Sequence, residues 1–285
     1  MLSVRPDRPV DPITVAVMRV IDSLTNELGL PYFVIGAMAR DIVITNVFGL
    51  STDIATKDVD FAVAVESWDQ YEAIKSNLLK RKKFTPANDD MAHRLYYEHS
   101  PGIRYPLDII PFRGVEQRRH SIAWPPEMKV MMNVAGYEEA LETAVLVSVE
   151  EGLEIHIASL PGLAVLKLFA WIDRGLEDSK DALDLAVVFR RYAFAGNEDR
   201  LYGVEIKALE AVDFDLELAG PRLLGKDVRS IAMPDTFQKI TTLLDDARLL
   251  DRLVTHMAPR FESSDDSVST ARQMLEQFKA GLLEH

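Results

Sequence analysis

A chain of 285 residues, 48% of them hydrophobic, carries enough apolar material for one large domain or two ordinary ones and is too apolar for a disordered tail. Its net charge of −13 argues against broad nucleic-acid binding, which needs a basic surface, while leaving room for a local basic patch. Cysteine is absent, which excludes disulfides and thiolate metal sites; no apolar run nears the ~20 residues of a membrane span, and residues 1–11 lack a signal-peptide core, so a cytoplasmic protein is expected.

Residues 1–11 read as a proline-containing arm. Across residues 13–28, Val17, Val20, Ile21, Leu24 and Leu28 recur at helical spacing, and Gly29 with Pro31 supplies the stop. Tyr32-Phe33-Val34-Ile35 is a short strand by its β-branched and aromatic content, and Gly36 breaks it. A helical pattern follows directly, with a mostly apolar helix over residues 40–48. So sharp a turn from strand to helix leaves the first helical N–H groups facing the turn, an arrangement that favours anions and phosphate above all. Residues 49–56 form a polar connection. A second strand over residues 57–65 opens with two acids, and strand alternation sends Asp58 and Asp60 to one face and Val59 and Phe61 to the other. Paired carboxylates beside a phosphate-receptive turn suggest a divalent metal holding a nucleotide.

Ser67 is placed to cap a helix that runs to residue 80, with Trp68, Tyr71, Ile74 and Leu78 inward. Its basic end, Lys80-Arg81-Lys82-Lys83, either complements the helix dipole or meets a polyanion. Strands over residues 93–98 and 103–111 flank the turn Ser100-Pro101-Gly102. Asp108 stands in the second of them among Leu107, Ile109 and Ile110, where a carboxylate needs a cation; a metal shared with Asp58 and Asp60 would supply it. His93-Arg94, at a strand start, is within reach of phosphate or is simply structural. Residues 112–126, with Arg113, Arg118, Arg119 and His120, read as a basic loop. Short strands at residues 144–149 and 153–157 close the first domain. Beyond Ser159-Leu160-Pro161 the pattern is helical throughout, at residues 163–174, 179–192, 223–231, 235–257 and 265–282. Strands followed by helices give an α+β chain: a sheet domain over residues 1–157 and an all-helical domain over residues 158–285.

Asp58, Asp60 and Asp108 are the candidate catalytic and metal-binding residues. Two Mg²⁺ ions bridged by carboxylates can clamp the attacking and leaving oxygens of an in-line displacement at phosphorus, and Mg²⁺ takes oxygen ligands while keeping waters. Asp58 and Asp60 would hold the ion carrying a triphosphate; Asp108 would serve a second ion and help deprotonate the attacking hydroxyl. An isolated Asp-x-Asp is common by chance, and the bland alternative pairs Asp60 with Lys57 or Arg40. The glycine turn upstream and the third acid on a later strand add weight to the catalytic reading. The six histidines are scattered away from zinc spacing, and neither a nucleophile elbow nor a complete P-loop pattern is present.

Gly36-Ala37-Met38-Ala39-Arg40-Asp41, Lys57-Asp58-Val59-Asp60-Phe61 and Leu107-Asp108-Ile109 together resemble the polymerase-beta-like nucleotidyltransferase superfamily. Within it the pattern is most similar to minimal nucleotidyltransferases of the AbiEii-like toxin group, and next to the lincosamide and aminoglycoside nucleotidyltransferases. The resemblance implies a mixed sheet flanked by helices, Mg²⁺ as cofactor, and transfer of a nucleoside monophosphate from an NTP with release of pyrophosphate. It implies nucleotide binding at Gly36, Ala37 and Arg40. The acceptor it implies is an RNA or tRNA end, with an antitoxin protein as partner, or an antibiotic; a relative that binds nucleotide without turnover is the further alternative. Many members have Gly-Ser at the turn. Here Gly36-Ala37 lacks the hydroxyl and leaves the backbone N–H groups to serve.

A second segment resembles the same toxin group. Lys167 is the one charged residue in Ala164-Val165-Leu166-Lys167-Leu168-Phe169-Ala170-Trp171-Ile172, and Ser179-Lys180-Asp181-Ala182 follows it. By that resemblance Lys167 faces nucleotide phosphates, with Lys180 or Asp181 near them. Read from the residues alone, Lys167 snorkels to solvent or meets an anion, and Asp181 helps start a helix.

Overall fold

A computed structural model describes residues 1–52, 56–87, 91–118, 120–261 and 266–284. The chain divides into two compact units: residues 1–49 with 53–159, and residues 50–52 with 160–285.

The first unit is built on a mixed eight-stranded sheet. In chain order its elements are β1 (Leu2–Ser3), α1 (Pro12–Leu28), β2 (Tyr32–Ile35), α2 (Gly36–Asp41), β3 (Val59–Val65), α3 (Trp68–Leu79), β4 (Phe84–Pro86), β5 (Arg94–Ser100) and β6 (Ile103–Arg113). The short strands β7 (Glu116–Arg118), β8 (Ser121–Ala123) and β9 (Met131–Asn133) follow, then α4 (Tyr137–Glu142), β10 (Val145–Glu150) and β11 (Leu153–Ile157). The large sheet runs β1-β10-β11-β2-β3-β6-β5-β4, and β7-β8-β9 form a small sheet of their own. The central pair β3·β6 is parallel, whereas β2·β3 and β5·β6 are antiparallel.

Local chemistry explains the elements around the sheet's centre. Asp11 caps α1 by accepting from the N–H groups of Ile13 and Thr14, Pro12 occupies the first turn, and Gly29 ends the helix in the left-handed conformation. In β3, Val59 and residues 61–65 are all buried, so the strand is covered on both faces and only Asp60 reaches partial exposure. Ser67 caps α3 as expected, accepting from the N–H of Gln70.

Several expectations need correction. The N-terminal arm is tied down: β1 pairs in parallel with β10, and the N–H of Arg5 donates to the Asn46 carbonyl. The helix after the glycine turn changes type, becoming a π-helix over Ile42–Val47 in which the Phe48 N–H reaches back to the Val43 carbonyl. Strand β3 starts at Val59, so Asp58 lies just ahead of it. The stretch expected as a basic loop extends β6 to Arg113 and then adds β7 and β8, three residues each, too short to show a period in sequence.

The second unit holds α5 (Leu160–Arg174), α6 (Lys180–Arg191), α7 (Glu198–Leu201), α8 (Ile206–Glu210), α9 (Leu216–Ile231), α10 (Pro234–Asp245), α11 (Ala247–Met257) and α12 (Ser267–Leu283). Helix α9 begins earlier than the sequence suggested and carries Pro221 inside it, while the helix expected over residues 235–257 is broken at Asp246, whose carboxylate caps α11. Helices α9 and α12 meet through glycine. A Cβ on Gly225 would stand 2.1 Å from the Phe278 carbonyl oxygen, and one on Gly281 would stand 1.8 Å from that of Arg222. Among the described residues, no helix is long and apolar enough to cross a membrane.

Candidate active site

The site begins where β2 ends. Gly36 has φ +69, in the left-handed region, and a Cβ on it would stand 2.0 Å from Oδ2 of Asp60. Glycine is therefore required twice, for the backbone angle and for the approach of the carboxylate. The turn and the acid-bearing strand, 24 residues apart in sequence, meet at this point.

Strand register extends the contact into a row. Ile35 pairs with Asp60 across β2·β3, Asp60 with Asp108 across β3·β6, and Asp108 with Arg94 across β6·β5. Directly paired residues project from the same face of a sheet, so Asp60, Asp108 and Arg94 stand side by side. Asp58, exposed, precedes the strand, its N–H donating to Thr56 Oγ1 at 3.2 Å.

Arg94 grips Asp108 with a two-pronged fork: Nε donates to Oδ1 at 2.7 Å and Nη2 to Oδ2 at 2.6 Å. The hydrogen bonds it donates to Asp108 raise the Arg94 guanidinium above its ordinary range against partial burial, with the charges of Asp108 and Asp58 adding to the effect. The pair is partly open to solvent, with 24% of the Arg94 side chain and 13% of Asp108 exposed. His93 Nε2 lies 3.9 Å from Asp108 Oδ2, and its ring packs against Trp124. Behind the row, Tyr71 donates to the Ile109 carbonyl at 3.1 Å and stays protonated, because burial pushes its hydroxyl well up and the Glu72 and Asp108 charges add to that.

Gly36 and Ala37 are both partly exposed, so the corner is accessible, whereas Arg40 is fully buried and pairs with Asp41 of its own helix at 2.7 Å. The structure thus brings Gly36, Asp60 and Asp108 together, with Ala37 next in chain. Among the described residues, no three Asp, Glu or His side chains converge closely enough to hold an ion between them. Two carboxylates nevertheless fit Mg²⁺, which is usually bound through one or two of them together with substrate phosphates and waters. The Asp60 carboxylate fills the room that the missing Cβ leaves at Gly36, which places an oxygen donor of the kind Mg²⁺ takes directly against the turn.

The lysine of the helical unit meets anions supplied by its own chain. Lys167 Nζ lies 3.1 Å from Asp181 and 2.5 Å from Asp184, and Arg174 reaches Asp181 at 2.7 Å. Burial alone would lower the Lys167 pKa; Asp184 and Asp181 outweigh it and raise the group above its ordinary value. These two carboxylates engage two of the three N–H donors of Lys167. Lys180 is exposed and pairs with Asp178 at 3.2 Å. Sequence reasoning did not pair Arg94 with Asp108 or single out Asp184. The first needed the β5·β6 register, but Asp184 could have been found one turn beyond Asp181 on the same helix face.

No family model and no curated protein matches the chain. Among solved structures it is similar to an antigenic nucleotidyltransferase-like protein from Paracoccidioides brasiliensis, at 13% identity and TM-score 0.42, covering 73% of this chain and 93% of that one. It is similar also to the antibiotic-resistance factor ANT(2'')-Ia, at 16% identity and TM-score 0.36, with 72% and 92% covered. The Thermotoga maritima CCA-adding enzyme, solved with tRNA, matches at 14% identity and TM-score 0.27 over 96% and 81%. Likeness at this level assigns no activity, and function must be argued from the site.

Proposed function

We propose that the chain is a Mg²⁺-dependent nucleotidyltransferase that moves a nucleoside monophosphate from an NTP to a hydroxyl acceptor. One observation carries this reading: Asp60 and Asp108 stand in register on parallel neighbouring strands, with the Asp60 carboxylate lying against the Gly36 turn. Mg²⁺, when bound, neutralises phosphate charge and fixes the triphosphate's orientation. The backbone at Gly36 and Ala37 receives the phosphates, and Asp58 and Asp60 are the carboxylates that hold the ion with them. Asp108 would hold a second ion and help take the proton of the acceptor hydroxyl aimed at the α-phosphorus. The new bond joins the acceptor oxygen to that phosphorus, the bond to the β-phosphate oxygen breaks, and pyrophosphate leaves.

An RNA end, as in the AbiEii-like toxins, is the acceptor we favour, with an antitoxin protein as partner. Lys80, Lys82 and Lys83, exposed at the end of α3, support it by offering positive charge to a polyanion. The overall charge of −13 favours the second reading, a small hydroxylated antibiotic.

The full chain is incubated with Mg²⁺, each α-labelled NTP, and either total tRNA or a panel of aminoglycosides and lincosamides. Label on RNA selects the first reading and label on a drug the second. Transfer that survives Asp60→Asn, or the absence of transfer to every acceptor, overturns the proposal; bound NTP without transfer would leave a nucleotide-binding relative.

A further inference from the structure

The fork of Arg94 takes one lone pair on each oxygen of Asp108, the carboxylate in register with Asp60. Lone pairs remain on both oxygens, so geometry alone does not bar a second cation. Charge does. A dication on Asp108 would sit within a few ångströms of a guanidinium that is permanently positive, and the repulsion at that separation is large beside thermal energy. The Arg94 side chain is 24% exposed, so its guanidinium has solvent to move into, whereas Asp108, at 13%, needs another cation in its place when Arg94 leaves.

We propose that Arg94 is a built-in competitor for the divalent cation, a positioning residue that holds Asp108 until the ion arrives together with a nucleotide. This rests on the metal-dependent reading above and adds to it the order of events. Without nucleotide, Arg94 keeps Asp108 neutralised and the site binds metal weakly. A triphosphate brings negative charge that draws the cation in and gives the freed guanidinium an alternative anion. The device ties metal loading to substrate loading.

The test uses the full chain and Mn²⁺, followed by the free-ion signal in electron paramagnetic resonance, with no turnover involved. Arg94→Gln removes the charge and is expected to tighten Mn²⁺ binding in the absence of nucleotide by about tenfold, the weight of one charge-assisted hydrogen-bonded pair. Adding a non-transferable NTP analogue is expected to shrink that gap, because the wild-type protein then gains more than the variant. Asp108→Asn in the Arg94→Gln background should cancel the gain. Should Arg94→Gln fail to fold, Arg94→Lys keeps the charge but loses the fork, and a smaller shift in the same direction is expected. Unchanged or weaker Mn²⁺ binding in the folded variant overturns the inference. If wild-type binding is lost in Asp60→Asn while Arg94→Gln changes nothing, Arg94 alone has been misread. If Mn²⁺ binds neither wild type nor variant, with or without nucleotide, the metal-dependent reading fails with it.

Discussion

Among the described residues, two of the clusters that join carboxylates to basic side chains differ in what could replace each partner. In the helical unit, Lys167 lies between Asp181 and Asp184 with Arg174 closing on Asp181, and the lysine and both acids are almost wholly buried. In the sheet unit, Arg94 holds Asp108 at the partly open end of a row that includes Asp60. In the first cluster, water cannot easily take the place of a missing Lys167, Asp181 or Asp184, so these three charges depend on one another. In the second, solvent or an ion can step in. Exchangeability, more than the number of charges, separates a cluster that braces a fold from one that can work on a substrate.

The predictions press on that difference. Asp60→Asn removes ligand charge at the open row, and label transfer is expected to fall about a thousandfold while the melting temperature barely moves; equal losses of activity and stability would make the row structural. Lys167→Met leaves two acids buried beside a hydrocarbon and is expected to destabilise the chain by about 3 kcal/mol in urea titration. A loss below about 1 kcal/mol would place the buried cluster in the same class as exposed pairs. The raised Lys167 pKa fixes the sign of its pH dependence: the stabilisation is fully present below the ordinary lysine value and is lost only as pH climbs through the higher folded one. The stability gap between wild type and Lys167→Met is therefore expected to stay flat between about pH 6 and pH 9.

Gly36→Ala forces a side chain onto a left-handed residue and pushes the Asp60 carboxylate aside. The expected result is about 1–2 kcal/mol of lost stability with a clear fall in transfer. Arg174→Ala should matter least, under about 1 kcal/mol, since 61% of that side chain is exposed and Asp181 keeps Lys167.

Much of this geometry could be read in advance, for identifiable reasons. Strands β2, β3 and β6 are apolar runs, Gly36 breaks one of them, and the acids stand out against their neighbours. The pairing of Asp108 with Arg94 could not be read, because it depends on how β5 and β6 align and no local pattern encodes that. Helix α9 starts ahead of the expected residue 223: Asp215 caps it, and it runs through Gly220-Pro221, a pair that in sequence disfavours a helix interior. Asp246 hid inside a continuous helical period and proved to be a cap. The π-helix over Ile42–Val47 shares the apolar composition of an ordinary helix, so nothing in residue type announced it.

The ladder between β3 and β6 runs without a bulge from Val59↔Leu107 to Val65↔Arg113. Its hold comes from hydrocarbon: Phe61, Val63, Leu107 and Ile109 are at most 1% exposed. The spacing of the two acids is thus inherited from an oily interior indifferent to what they bind, and it would persist whatever sequence the surrounding loops carried. Slipping either strand by one residue would turn its acid to the opposite side of the sheet and dissolve the pair in a single step.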